Sequence, residues 1–221
     1  MRAAVVVFPG SNCDTDVVTG LQTVLGIAVD RLWHKQTHLD AAYDLVVLPG
    51  GFSYGDYLRC GAIAAHSPIM AEVKRHAERG GYLLGICNGF QILTEAGLLP
   101  GGLRGNAGLQ FICREVALQV ANRNSPFTCA LPNADLTLPV AHHDGNYHID
   151  DDGLKRLQDQ GQIALTYATP VNGSVANIAG VLSANKRVLG LMPHPERAVD
   201  QAVGNTDGRE IFLSLQTTIG A

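Results

Sequence analysis

Tyr82-Leu83-Leu84-Gly85-Ile86-Cys87-Asn88-Gly89-Phe90-Gln91-Ile92-Leu93 joins an apolar run to a glycine-flanked cysteine and then to a second, helix-spaced apolar run. It reads as a buried strand turning sharply into a helix, with the thiol of Cys87 carried on the turn. Gly85 and Gly89 permit the strained corner that Gly-x-Ser-x-Gly segments use to lift a serine out of a sheet. The helix that follows supplies electrostatics. Its unpaired N–H groups and positive dipole end favour thiolate over thiol, and the N–H of Asn88 is aimed where an oxyanion would form. A cysteine that merely packs in a Gly-rich turn is the competing reading, so the decision rests on what the rest of the chain offers.

Outward from this corner, short apolar runs recur at Ala3–Phe8, Ala28–Trp33, Leu45–Leu48, Val175–Leu182 and Val188–Met192. Such runs suit strands buried on both faces. Helical spacing lies between them at Asp14–Leu25, Pro68–Arg79, Asn88–Ala96 and Asp207–Thr217. The alternation predicts an α/β fold with a doubly wound, mostly parallel sheet. The stretch from Leu109 to Leu138 differs: Phe111–Val120 reads as strand and is followed by loops rich in Asn and Pro, so antiparallel additions to the sheet are expected there. Asp150-Asp151-Asp152, the longest acidic run, reads as a solvated turn. The length of 221 residues fits a single domain spanning 1–221.

Composition narrows the function classes. Hydrophobic residues make up 46% and charged residues 16%, which describes a well-buried globular protein. A net charge of -4 provides no footprint for a phosphate backbone, so no nucleic-acid partner is expected. Met1–Phe8 reads as a first strand closed by Pro9-Gly10, not as a leader. No stretch approaches the ~20 apolar residues that cross a bilayer, so no membrane is expected and a cytoplasmic location follows. The five cysteines are odd in number and contain no Cys-x-x-Cys pair, which argues against a disulfide framework or a zinc site. His142-His143-Asp144 with His148 nearby could gather a metal. Lacking a helical His-x-x-x-His pairing, they read better as a loop with satisfied or exposed imidazoles, and no metal is expected.

A cysteine nucleophile needs a base, and the base needs an orienting group. Met192-Pro193-His194-Pro195-Glu196-Arg197 offers both at the end of the run Val188–Leu191, stiffened by two prolines. Strand alternation would point His194 and Glu196 to one side. Pro49-Gly50-Gly51-Phe52-Ser53-Tyr54-Gly55-Asp56 follows another buried run, and the N–H of Gly51 is a candidate second oxyanion donor beside that of Asn88. No Gly-x-x-x-x-Gly-Lys-Ser/Thr loop occurs, and Gly101–Gly105 is too loose for a phosphate cradle.

The loop at 49–51, the corner at 85–89 with Gln91, and the late His194-Pro195-Glu196 together resemble class I glutamine amidotransferases. More narrowly, Phe8–Asp14, Gly50–Arg59, Cys87–Leu93, Asn172–Ser174, Asn177–Gly180 and Met192–Ala198 resemble the glutaminase subunits of phosphoribosylformylglycinamidine synthases, over essentially the whole chain. The resemblance implies a flavodoxin-like fold and a Cys87–His194–Glu196 triad that hydrolyses glutamine through a γ-glutamyl thioester. It also implies that Gly51 and Asn88 bind the oxyanion and that Gln91 seats the substrate. Ammonia would pass to a PurL-like synthetase subunit that uses ATP and Mg with formylglycinamide ribonucleotide; a small PurS-like third subunit is a further partner. No cofactor is expected in this chain itself. Within the same resemblance, Cys13 and Cys113 read as core or near-core positions. His142–Tyr147 departs from the Gly-Glu-Gly-Asn-Tyr of many relatives, and Leu103–Asn106 departs as well. Two rival readings remain: a DJ-1/PfpI-like protein, in which His would follow the cysteine where Asn88 stands, and a glutamine-sensing regulatory subunit without turnover.

Overall fold

β1 (Ala3–Val7), α1 (Asp14–Leu25), β2 (Val29–Trp33), β3 (Leu45–Leu48), α2 (Met70–Glu78), β4 (Tyr82–Ile86) and α3 (Asn88–Glu95) make up the first half of the chain. The second half comprises β5 (Gly102–Arg104), β6 (Ile112–Val120), β7 (Leu136–His142), β8 (Asn146–His148), α4 (Asp151–Asp159), β9 (Ile163–Tyr167), β10 (Ile178–Leu182), β11 (Val188–Leu191) and α5 (Arg209–Ile219). These elements come from a computed structural model that describes residues 1–39, 41–132 and 135–220.

Nine strands form one sheet in the order β2-β1-β3-β4-β11-β10-β9-β6-β7, and β5 pairs with β8 in a small antiparallel ribbon. From β2 to β11 every pairing is parallel. The apolar runs at β3, β4 and β11 lie at the middle of this half, and nearly all their residues are buried. A fully buried Leu or Val contributes about 1.5–3 kcal/mol over an exposed one, so these strands anchor the core. The step from β1 to β2 runs one way along the sheet and that from β3 to β4 the other. Right-handed crossovers therefore place α1 and α2 on opposite faces, which is the doubly wound arrangement. α5 packs against α1. The order reverses between the neighbouring strands β1 and β3, and in such sheets ligands bind beyond the carboxyl ends of strands at that point.

Several expectations need correction. β2 is an edge strand, mostly half-buried or exposed. Residues 175–177 form a tight 3-10 turn with Ala176 at φ 49°, and β10 is antiparallel to both neighbours. The antiparallel additions thus extend well beyond the middle segment, to β10, β9, β6 and β7. The acidic run at 150–152 is not a turn. Asp150 caps α4, its side chain accepting from the Gly153 N–H at 2.7 Å, while Asp151 and Asp152 occupy the positive end of the helix dipole. Cys113 is exposed on β6, where alternation turns it outward. None of the described helices is long and apolar enough to cross a membrane.

Candidate active site

Cys87 stands where β4 ends and α3 begins, with φ 51° and ψ -106°. A non-glycine residue holds such a conformation only where its surroundings impose it. Two features impose it here. The Cys87 N–H donates to the Leu191 carbonyl at 2.8 Å, stitching the corner to the end of β11, and the Phe90 and Gln91 N–H groups return to the Cys87 carbonyl as the helix starts. Gly89 has no room for a side chain, because a Cβ there would overlap the Leu48 carbonyl. The corner is thus pressed against β3.

β11 leads directly to His194, whose N–H donates to the Pro139 carbonyl of β7 at 2.8 Å. Glu196 lies in a 3-10 turn over Pro195–Arg197, so the pair meets through a bend and not through strand alternation. His194 Nδ1 and Glu196 Oε1 are 2.6 Å apart, and both side chains are buried. Burial opposes charge on the imidazole. The Glu196 carboxylate outweighs it, aided by the sulfurs of Cys87 and Cys13, and holds the His194 pKa well above the ordinary imidazole value. Nε2 makes no hydrogen bond among the described residues. His194 and Cys87 line one cavity of about 280 Å³, together with Gly51 and Gln91. The imidazole fits because Gly50 is bare: a Cβ there would stand 2.7 Å from His194 Cε1.

Asn88 is fully buried, and its side chain braces the neighbourhood. Its Oδ1 accepts from the Ser53 N–H at 3.1 Å, and its Nδ2 donates to Gln91 Oε1 at 2.9 Å and to Asp56 Oδ1 at 3.3 Å. The backbone N–H groups of Gly51 and Asn88 have no hydrogen-bond partner among the described residues. Gln91 Nε2 donates to the Asp144 carbonyl at 2.7 Å. Five of the six residues singled out from the sequence therefore converge on the cavity or on the pair behind it, and Asn88 supports them from beneath.

Sequence reasoning passed over several neighbours. Cys13, read only as a packing residue, stands with ligand-type atoms of His194 and Glu196 all within 4.8 Å of one another. Arg197 Nη2 reaches its sulfur at 3.1 Å while Nε holds Asp16 at 3.2 Å. Arg197 belongs to the motif already noted, but the partner on α1 is invisible until the chain folds. His142 is not in a loop. It ends β7, buried, with Nδ1 3.1 Å from Asn106 Oδ1. Burial, and then the charge of His194, push its pKa down to about 4, so it is neutral near pH 7. His143 and His148 are exposed.

Residues 1–211 match the model of the CobB/CobQ-like glutamine amidotransferase domain. The chain is 59% identical over 216 residues to phosphoribosylformylglycinamidine synthase subunit PurQ of Cereibacter sphaeroides, an alignment covering 97% of each sequence. This chain belongs to the PurQ family. The PurQ subunit of Jannaschia sp. is likewise 59% identical, across 100% of both sequences. Among solved structures, PurLQS from Thermotoga maritima contains a chain that is 46% identical and superposes with a TM-score of 0.90, covering 99% of this chain and 98% of that one. A glutamine amidotransferase from the same organism, 15% identical with a TM-score of 0.67, shares the fold. PurQ membership removes the DJ-1/PfpI-like alternative.

Proposed function

We propose that this chain is the glutaminase subunit of a phosphoribosylformylglycinamidine synthase, supplying ammonia to a synthetase subunit. The observation that carries the mechanism is the nucleophile corner at Cys87 opening into one cavity with the buried His194–Glu196 pair. His194 takes the Cys87 proton at Nε2, and the sulfur attacks the side-chain amide carbon of glutamine. The free N–H groups of Gly51 and Asn88 receive the tetrahedral oxyanion. The imidazolium returns its proton to the leaving nitrogen, releasing ammonia and leaving a γ-glutamyl thioester on Cys87. Water, deprotonated by His194, hydrolyses that thioester to glutamate and restores the thiol. Glu196 fixes the tautomer and stabilises the charge, and Gln91 seats the substrate.

The partner is a PurL-like synthetase that takes ATP, Mg and formylglycinamide ribonucleotide, with a PurS-like subunit completing the assembly. Support for this comes from the PurQ relatives and from the solved PurLQS assembly. The chain itself carries no cofactor in this reading, and its site is cytoplasmic, in keeping with five free cysteines.

The test is ammonia release from glutamine by the chain assembled with its synthetase, ATP and the nucleotide substrate, with Cys87→Ala as control. Turnover that depends on Cys87 and rises on assembly is the expected result. Equal turnover by Cys87→Ala would sink the mechanism, and a fully assembled complex without turnover would favour a regulatory, glutamine-sensing role.

A further inference from the structure

Cys13 is a buried thiol that the thioester chemistry does not use. It stands at the N-cap of α1, a position that Ser, Thr, Asp or Asn fills best because their oxygens accept from the first turn. Cys13 makes no such bond. Its sulfur is turned toward the catalytic pair instead, with ligand-type atoms of Cys13, His194 and Glu196 all within 4.8 Å of one another. Gly50 shows which edge of the imidazole it meets. A Cβ built there would be 3.2 Å from Cys13 Sγ, 2.7 Å from His194 Cε1 and 3.4 Å from His194 Nδ1, so the sulfur and the Cε1–Nδ1 edge share one bare patch of backbone. The Cys13 N–H donates to the Gly50 carbonyl at 3.4 Å, which ties the same residue to the loop that carries Gly51.

The sulfur is itself held in place. Arg197 Nη2 donates to it at 3.1 Å, while Arg197 Nε donates at 3.2 Å to Asp16 Oδ2, on the first turn of α1. The thiol hydrogen goes to Asn12 Oδ1 at 3.3 Å. With its hydrogen committed there, Sγ faces the imidazole as an acceptor, which favours the protonated ring. The balance at His194 agrees: burial opposes its charge, and Glu196, Cys87 and then Cys13 raise its pKa. His142, a titratable neighbour from the end of β7, is neutral near pH 7 and brings no competing charge. Geometry matters as much as charge. The Glu196 contact at Nδ1 leaves the ring free to swing about that bond, and a misplacement of about 1 Å costs a reaction on the order of a hundredfold.

We propose that Cys13, braced by Arg197 and Asp16, is a positioning residue for glutamine hydrolysis: its sulfur backs the Cε1–Nδ1 edge of the His194 imidazole and keeps the ring aimed at Cys87. This rests on the reading of the cavity as the glutaminase site.

The experiment uses the assembled complex with three variants. Cys13→Val keeps the bulk and removes the acceptor, Cys13→Ser keeps an acceptor, and Asp16→Asn lies outside the catalytic cavity and loosens Arg197. Ammonia release gives kcat and KM for glutamine across pH. Cys13→Val should lower kcat about tenfold or more with KM within about twofold. It should also move the limb of the kcat/KM profile that reports His194 to lower pH. Cys13→Ser should recover most of both. Asp16→Asn should lower kcat several-fold, and it keeps the proposal testable if Cys13→Val does not fold, since it leaves the buried thiol untouched. Parental kcat with an unmoved profile in Cys13→Val, parental kcat in Asp16→Asn, or a loss confined to KM would overturn the positioning role.

A second readout needs no turnover: the rate at which iodoacetamide alkylates Cys87, followed by peptide mass spectrometry. A neighbouring imidazolium favours the thiolate, so Cys13→Val should slow this several-fold at about pH 7 and Cys13→Ser should restore it. Slowed alkylation in Cys13→Val, in a complex whose parent releases no Cys87-dependent ammonia, would keep the positioning role and refute the glutaminase. Cys87-dependent turnover with kcat and alkylation unaltered in Cys13→Val would do the reverse.

Discussion

At the scale of single residues, the chemistry depends on His194 holding a proton in a place where burial opposes it. Glu196 tips that balance at 2.6 Å, and the consequence for stability has a definite sign. Because the folded-state pKa of His194 lies above its unfolded value, the pair's contribution is fully present below the ordinary imidazole pKa. It fades as pH rises through the raised value. Glu196→Gln should therefore cost roughly 3 kcal/mol in urea unfolding at about pH 6 and distinctly less at about pH 9. A penalty that grows with pH would contradict this assignment. The same substitution should lower kcat about a hundredfold or more, measured as ammonia release, since the tautomer and the imidazolium both lose their partner. Cys87, His194 and Glu196 were legible in the sequence as residue types in motifs. The bend that joins His194 to Glu196 was not, because alternation along a strand predicts the same pairing for a different reason.

At the scale of elements, the corner between β4 and α3 depends on the closeness of α3 to β3. Gly89→Ala would thrust a methyl group into the Leu48 carbonyl and should destabilise the fold by about 3 kcal/mol, read as a lower midpoint in thermal unfolding. Retained stability would mean that the helix can move away from the sheet. α4 offers a milder case. Asp150→Ala removes the acceptor for the Gly153 N–H and should cost about 1 kcal/mol, with no change in glutamine turnover. The α1 helix was read from its helical spacing at about its observed limits, Asp14–Leu25, and the structure shows acidic residues in its first turn and Gly26 closing it in the left-handed conformation. α4 was missed for a physical reason: within Asp151–Asp159 the only large apolar residues are Leu154 and Leu157, too few to display a period. Strand direction was also hidden at β10. Its five residues are all buried, and burial on both faces looks the same in a parallel and an antiparallel neighbourhood.

For the whole molecule, the expectation is coupling between this chain and its synthetase. A glutaminase that discharged ammonia without an acceptor would waste it, so turnover by the isolated chain should be low and should rise at least about tenfold on assembly with the synthetase and its substrates. Full activity of the lone chain would contradict this. The residues that determine the chemistry come from four strand ends: after β1, β3, β4 and β11. The order of strands in space, with β1 beside β3 and β4 beside β11, brings them to one cavity.

The sequence by itself determined the parts that are local in the chain: the apolar strands, the glycine-framed corner at Cys87, the stiff segment carrying His194 and Glu196, and the resemblance those motifs carry. Tertiary structure alone decided the parts that depend on distant backbone. It set Cys13 and Arg197 against the His194–Glu196 pair, turned β10 antiparallel, and aligned Asp56 with Asp144 and His142 around the cavity. The physical reason is that a hydrophobic pattern or a turn residue acts within a few positions of itself. The field around a buried charge is created instead by whichever groups the folded sheet brings beside it, however far apart they lie in sequence.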